Sequence, residues 1–165
     1  MTIRVRDVMR TKLQTVGPKM PLAELEGALI RHRVSGFPVV EDGRLLGVVT
    51  RSDIVRTLVV EHTFDEQISD YYDGLSRMSE ADVAEGVIEM GARVGARIEG
   101  MSVADVMVTN VITVAPEQSL VEVAELMVEN GIHRLPVTEA GALVGMVTSL
   151  DLAGLIATGR MREVR

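Results

Sequence analysis

Leu22, Leu25 and Leu29 are spaced by three and four residues among Glu24, Glu26 and Arg31, a pattern that predicts an amphipathic helix. After it come two short apolar runs, Phe37–Val40 and Leu45–Thr50, joined by Asp42-Gly43. Such runs around an Asp-Gly pair predict a β-hairpin with a tight turn. A final helix is predicted from Ser52 to about residue 60, burying Ile54, Val55 and Leu58. Ahead of the first helix lie a helical turn at Val5–Met9, a short β segment at Leu13–Val16 and then Pro18. The predicted order is β-α-β-β-α.

The same series recurs 98 residues further on. Val5–Met9 aligns with Val103–Met107, Leu13–Val16 with Val111–Val114, and Pro18 with Pro116. Leu120, Val123, Ala124 and Met127 form the second helical stripe. Leu135–Thr138 and Leu143–Thr148 form the second hairpin across Ala140-Gly141, and the last helix runs from Leu150 to about Ala157, burying Leu152, Leu155 and Ile156. Over residues 5–58, 19 of 54 aligned positions are identical without a gap. A repeated unit of this size predicts two similar modules packed about a pseudo-twofold axis, with two similar clefts. Each sheet is expected to carry helices on one face and to turn its other, apolar face to the other repeat. The predicted organisation is repeat 1 at 1–60, an acidic connector at 61–100, repeat 2 at 101–158 and a tail at 159–165.

Each repeat is about 55 residues, near the lower limit for an independent core, so a shared core is expected. In the connector, Ser79-Glu80-Ala81-Asp82 has the form of a helix start, followed by Val83, Val87, Ile88 and Met90. Tyr71 and Tyr72 read either as a packed helix flank or as a lid or docking surface. The chain has no cysteine, which excludes disulfides and thiolate metal sites and fits a reducing cytoplasm. No apolar run reaches the roughly 18–20 residues of a membrane span, and the N-terminus lacks a signal-peptide stretch. A soluble cytoplasmic protein is expected.

The net charge of −7 is uneven. Residues 3–60 sum to +4, residues 61–100 to −7, residues 101–158 to −6 and the tail to +2. This reads either as ordinary solvated surface or as cations in the first repeat that serve a phosphate or an acidic subunit face. Nucleic acid is not an expected partner, because the overall sign is wrong and no basic-aromatic platform exists.

Candidate chemistry lies where the last strand of each repeat meets the last helix: Gly47-Val48-Val49-Thr50-Arg51-Ser52-Asp53 and Gly145-Met146-Val147-Thr148-Ser149-Leu150-Asp151. Thr at the N-cap with Asp three residues later is a capping box. The same geometry suits a nucleotide: helix amides and a hydroxyl for phosphate, a carboxylate for the two ribose hydroxyls. The two readings are compatible. Arg51 is placed to reach a phosphate. His133 beside Arg134 reads either as a phosphate contact or as a solvent-facing turn. His32, His62 and His133 match no metal spacing. No nucleophile elbow, phosphate loop or dinucleotide fingerprint is present, and Asp53 and Asp151 are repeat equivalents rather than an acid/base pair. No catalytic residue and no metal are expected, and the chain is not read as an enzyme.

Both repeats resemble CBS domains, and the chain resembles a stand-alone tandem CBS pair, or Bateman module. The resemblance rests on Val5–Met9 with Thr15-Val16, on Ser35-Gly36-Phe37-Pro38-Val39, and on Gly47 through Asp53. In the second copy it rests on Val103–Met107 with Thr113-Val114, on Ile132-His133-Arg134-Leu135-Pro136-Val137, and on Gly145 through Asp151. It covers about 110 of the 165 residues and leaves out the connector. It implies a regulatory module that binds AMP, ADP, ATP or S-adenosylmethionine between repeats, with no tightly bound cofactor, and that signals to an effector protein. One cleft would use Thr50 and Asp53 with Val114, His133, Arg134 and Leu135. The other would use Thr148 and Asp151 with Thr15, Val16, Ser35, Gly36 and Phe37. The resemblance further implies a disc-shaped homodimer, and the charge difference between repeats favours a head-to-tail one. The competing reading is a ligand-free dimerisation scaffold whose Thr-x-x-Asp turns only cap helices.

Overall fold

The computed structural model describes residues 3–64 and 99–160; the connector helix, Tyr71 and Tyr72 expected from the sequence lie outside them. A 3-10 turn at Val5–Asp7 opens the chain. It is followed by α1 (Leu22–His32), β1 (Gly36–Glu41), β2 (Arg44–Thr50) and α2 (Arg51–Phe64). The second repeat supplies α3 (Val103–Val106), α4 (Leu120–Asn130), β3 (Arg134–Glu139), β4 (Ala142–Thr148) and α5 (Ser149–Ala157). The stripes read from the sequence are the buried ones: Leu22, Leu25 and Leu29 in α1, and Leu120, Val123 and Met127 in α4.

Val55 and Ile156, expected to be buried, are exposed in their helices, and two further features differ from the sequence expectation. Leu13–Val16 and Val111–Val114 are not strands; each makes one isolated parallel bridge, Val16 to Val39 and Val114 to Val137. Proline explains the limit. Val114 N–H donates to Pro136 O at 3.0 Å, and Thr138 N–H donates to Val114 O at 2.9 Å. The rung before these would need the N–H of Pro136, and the rung after them the N–H of Pro116. Neither residue has one. Pro38 and Pro18 hold the equivalent places in the first repeat.

The hairpins also do not form separate sheets. They join in one four-stranded sheet in the order β1-β2-β4-β3. β2 and β4 meet antiparallel near the hairpin tips at Arg44 and Ala142, with Leu45 N–H to Gly141 O at 3.2 Å and Leu143 N–H to Gly43 O at 3.1 Å. In the second hairpin Arg134 faces Thr148 and Glu139 faces Ala142, with one register irregularity between Val137 and Thr138.

The chain divides into two compact units that cut across the repeats. One comprises Met1–Thr15, Val40–Gly47 and Thr109–Arg165; the other comprises Val16–Val39 and Val48–Val108. In the first unit, Val5 is fully buried in a core with Val114, Leu120, Val137, Val147 and Leu155 of the second repeat. Its backbone is tied there by Val5 N–H to Gln118 O, Arg6 N–H to Pro116 O and Leu120 N–H to Ile3 O, at 3.0, 3.0 and 3.1 Å. In the second unit, Val103 is fully buried and its segment makes the repeat-equivalent bonds: Val103 N–H to Met20 O, Ala104 N–H to Pro18 O and Leu22 N–H to Met101 O, at 2.8, 2.8 and 3.1 Å. Each unit therefore takes its body from one repeat and its opening turn from the other. Arg4 and Arg6 also pair with Glu117 in the first unit, at 3.0 and 2.6 Å. These partners are about half exposed, and such pairs contribute at most about 1 kcal/mol each.

The repeats solve two backbone problems differently. Both hairpin turns need positive φ at two residues: Asp42 (50°) with Gly43 (79°), and Ala140 (49°) with Gly141 (82°). Asp-Gly suits this turn, whereas Ala140 carries a Cβ into the left-handed region without a side-chain hydrogen bond to offset it. After the amphipathic helices the burden is reversed. Gly131 ends α4 at φ 63°, while Arg33 ends α1 at φ 52°. Each repeat thus supplies the remedy for the other. Ala140→Asp and Arg33→Gly are each expected to raise the melting temperature by a few degrees, about 1 kcal/mol apiece, and to add when combined. Differential scanning calorimetry checks this; a lower melting temperature for both would refute the strain argument.

Candidate functional site

Both Thr-x-x-Asp turns form as read. Asp53 Oδ2 accepts from the backbone N–H of Thr50 at 2.8 Å and from its hydroxyl at 2.6 Å. Asp151 Oδ2 accepts from the N–H and hydroxyl of Thr148 at 2.9 and 2.6 Å, and Asp151 N–H approaches Thr148 Oγ1 at 3.3 Å. One oxygen of each carboxylate is consumed in opening the helix, and the other is left to something else.

The same cap recurs elsewhere, with a decisive difference in burial. Ser102 and Asp105 open α3 with both contacts at 2.7 Å, and Arg4 N–H donates to Asp7 at 2.9 Å. Asp7 and Asp105 are exposed, as a cap needs no more. Asp53 is the one buried charged residue among the described residues, at 5 % exposure, and the Asp151 side chain retains 12 %. Burying a carboxylate is costly unless its charge is compensated. Helix capping accounts for the hydrogen bonds but not for the burial.

The segment before each mid-repeat proline adjoins the turn of its own repeat. Arg51 N–H donates to Ser35 O at 3.1 Å, and Ser149 N–H donates to His133 O at 3.0 Å. At Gly36 the strands come so close that an added Cβ would lie 2.6 Å from Val49 O. Ser35, Thr15, His133 and Arg134 are exposed. Val16, Phe37, Val114 and Leu135 are core residues at 5 % exposure or less, and Phe37 meets His32 edge-on with ring centres 6.0 Å apart. Arg51 points toward the end of α1, where Nη2 reaches Leu29 O at 3.5 Å. In that position it lines a shallow groove with Glu26, Ile30, Ile54 and Val55.

The residue that the sequence reading missed is Arg10. Its Nε and Nη2 donate to Asp151 Oδ1 at 3.1 and 2.9 Å. The contact spans 141 residues, so no local pattern announces it. The one available sign was that the repeat equivalent of Arg10 is Val108. Asp53 Oδ1 has instead Arg56 Nη1 at 3.4 Å, one turn along the same helix. Among the described residues no group of three or more His, Cys, Asp or Glu could hold a metal ion, and no helix is long and apolar enough to cross a membrane.

The Ser102 N–H and hydroxyl hold the Asp105 carboxyl below the usual carboxylate range. A group whose folded pKa is lowered stabilises the fold above its unfolded pKa, and that stabilisation is lost as pH falls through the folded value. Asp105→Asn is therefore expected to lower stability at pH 7, with the gap to the parent closing as the pH drops below about 4. Urea melts across this pH range check it; a constant gap would refute the assignment.

A family model described as CBS domain matches residues 5–60 and 103–158. An uncharacterised protein of Methanocaldococcus jannaschii is 31 % identical over 156 residues, covering 90 % of this chain and 88 % of its own. The solved CBS domain of a CBS domain containing membrane protein from Sphaerobacter thermophilus is 30 % identical with a TM-score of 0.60, covering 93 % and 88 % of the two chains. The Arabidopsis thaliana CBS-pair protein CBSX2, solved in complex with AMP, is 25 % identical with a TM-score of 0.67, covering 96 % and 98 %. With both repeats matched in order, the chain belongs to the CBS-domain family and carries two CBS domains in tandem.

Proposed function

We propose that this chain is a regulatory sensor. It binds an adenosyl ligand (AMP, ADP, ATP or S-adenosylmethionine) at its Thr-x-x-Asp turns and passes the bound state to a separate effector protein by a change of shape. It catalyses no reaction of its own. The observation that carries the reading is Asp53, a buried carboxylate with one oxygen fixed by Thr50. A ribose diol offers two hydroxyl donors to such a group, and charge-assisted hydrogen bonds would offset its burial. The likeness to CBSX2 in its AMP complex supports the ligand class.

The scaffold reading has its own support: the exposed Ser102/Asp105 turn makes the same two contacts simply as a helix cap. Ligand titration separates the two readings. Ligand that binds only the folded state adds RT ln(1 + [L]/Kd), about 2.7 kcal/mol at a hundredfold excess over Kd, and a melting shift of several degrees. At least one of AMP, ADP, ATP and S-adenosylmethionine at millimolar concentration is expected to produce it. If all four leave the curve unmoved, the sensor reading falls and the scaffold reading stands.

The protein is further proposed to act as a homodimer. Ile30 and Val128, equivalent residues of α1 and α4, are 64 % and 82 % exposed, and Leu150 and Ile156 of α5 are 76 % and 66 % exposed. Apolar side chains this open on several helices favour a second copy over solvent. The +4 and −6 repeats favour first repeat against second. Light scattering is expected to give twice the 17.9 kDa chain mass at micromolar concentration. A concentration-independent monomer would overturn the dimer. Cross-links confined to like repeats would overturn only its orientation.

A further inference from the structure

The two turns share a sequence motif but differ in what meets the second carboxylate oxygen. At Asp151 the meeting is firm. Arg10 sits on a fixed backbone, with Arg10 N–H to Met146 O at 2.9 Å and Met146 N–H to Arg10 O at 3.0 Å. From there it directs two nitrogens onto Asp151 Oδ1 while Thr148 holds Oδ2. Both oxygens are engaged and the negative charge is matched. At Asp53 the equivalent backbone bridge is present, Val48 N–H to Val108 O at 3.0 Å and Val108 N–H to Val48 O at 2.9 Å. Its side chain is valine, which donates nothing. Arg56 approaches Asp53 Oδ1 at 3.4 Å with a single nitrogen. The Arg10 and Arg56 side chains are alike in exposure, at 66 % and 67 %, so the two turns differ in the number and length of the contacts.

We propose that Arg10 determines which turn takes the ligand: it occupies the diol-accepting oxygen of Asp151, so the adenosyl ligand binds at the Asp53 turn alone. This rests on the sensor reading above and adds to it the number and place of the sites. A ribose diol is neutral. To dock on Asp151 it must exchange a guanidinium's paired, charge-assisted bonds on Oδ1 for hydroxyl bonds. At Asp53 it displaces only one long single-nitrogen contact, which costs less. The same ligand should therefore bind at Asp151 at least about tenfold more weakly than at Asp53. Charge asymmetry between the repeats then acts through one named residue rather than through the general field.

Isothermal titration of the full chain with AMP tests this in four proteins: the parent, Arg10→Val, Asp53→Asn and the double variant. Arg10→Val copies the residue that the second repeat already carries at the same bridge, so the fold should accept it. Circular dichroism melts of the free proteins show whether all four fold. The parent should take one AMP per chain, and Asp53→Asn should weaken that binding at least tenfold. Arg10→Val should take two, and the double variant should keep one. Two AMP per parent chain, unchanged affinity in Asp53→Asn, or a single site in Arg10→Val would each overturn the Arg10 proposal while leaving the sensor reading in place. Loss of the parent's site in Arg10→Val would mark Arg10 as a phosphate ligand and equally overturn it. Silence of all four folded proteins toward AMP, ADP, ATP and S-adenosylmethionine would overturn both proposals.

Discussion

Each compact unit depends on a valine it does not supply from its own repeat. Val5 completes a core built from the second repeat, and Val103 completes one built from the first. A body of about 55 residues can bury only a modest share of its surface, so the loss of one central side chain and its backbone bonds is a large fraction of what holds it together. Exchange of the opening turns solves this for both repeats at once. It also fixes the chain's order: an opening turn, a crossing, then a helix and a hairpin.

The exchange places Arg10 and Val108. Each follows its opening turn by a few residues and bonds to the last strand of the unit that the turn has joined, at Met146 and Val48 respectively. Those strands run directly into the Thr-x-x-Asp turns. The residue at this bridge is therefore the natural neighbour of the carboxylate, and its identity sets whether the carboxylate is neutralised from within. The difference in contacts between two nearly identical motifs is carried by a residue that belongs, in sequence, to the other repeat.

Proline plays a quieter part in the same design. Pro116 and Pro136 reduce the approach of Val114 to one bridge, which lets the segment cross the edge of the hairpin without extending the sheet. The backbone beyond is free to turn into the amphipathic helix. Without those missing donors a longer parallel ladder could form and carry Thr113 and its neighbours along the strand instead of past it.

Much of this was legible in the residues. Apolar spacing gave the amphipathic helices, and Asp42-Gly43 and Ala140-Gly141 gave the hairpins, because each is a local pattern within a turn or two of backbone. The 98-residue offset gave the duplication because the two copies align residue by residue without a gap. The Thr-x-x-Asp turns were legible for the same reason: cap and acid lie three residues apart. Tertiary structure alone decided what those patterns leave open. It reduced Leu13–Val16 and Val111–Val114 from strands to single bridges, because the prolines act on hydrogen-bond partners that the sequence does not pair. It joined two hairpins into one sheet at their tips. It divided the chain across rather than along the repeats, and it set Arg10 on Asp151. Such contacts join residues from more than 20 to 141 positions apart, and their choice rests on burial and on free donors that exist only once the chain has folded.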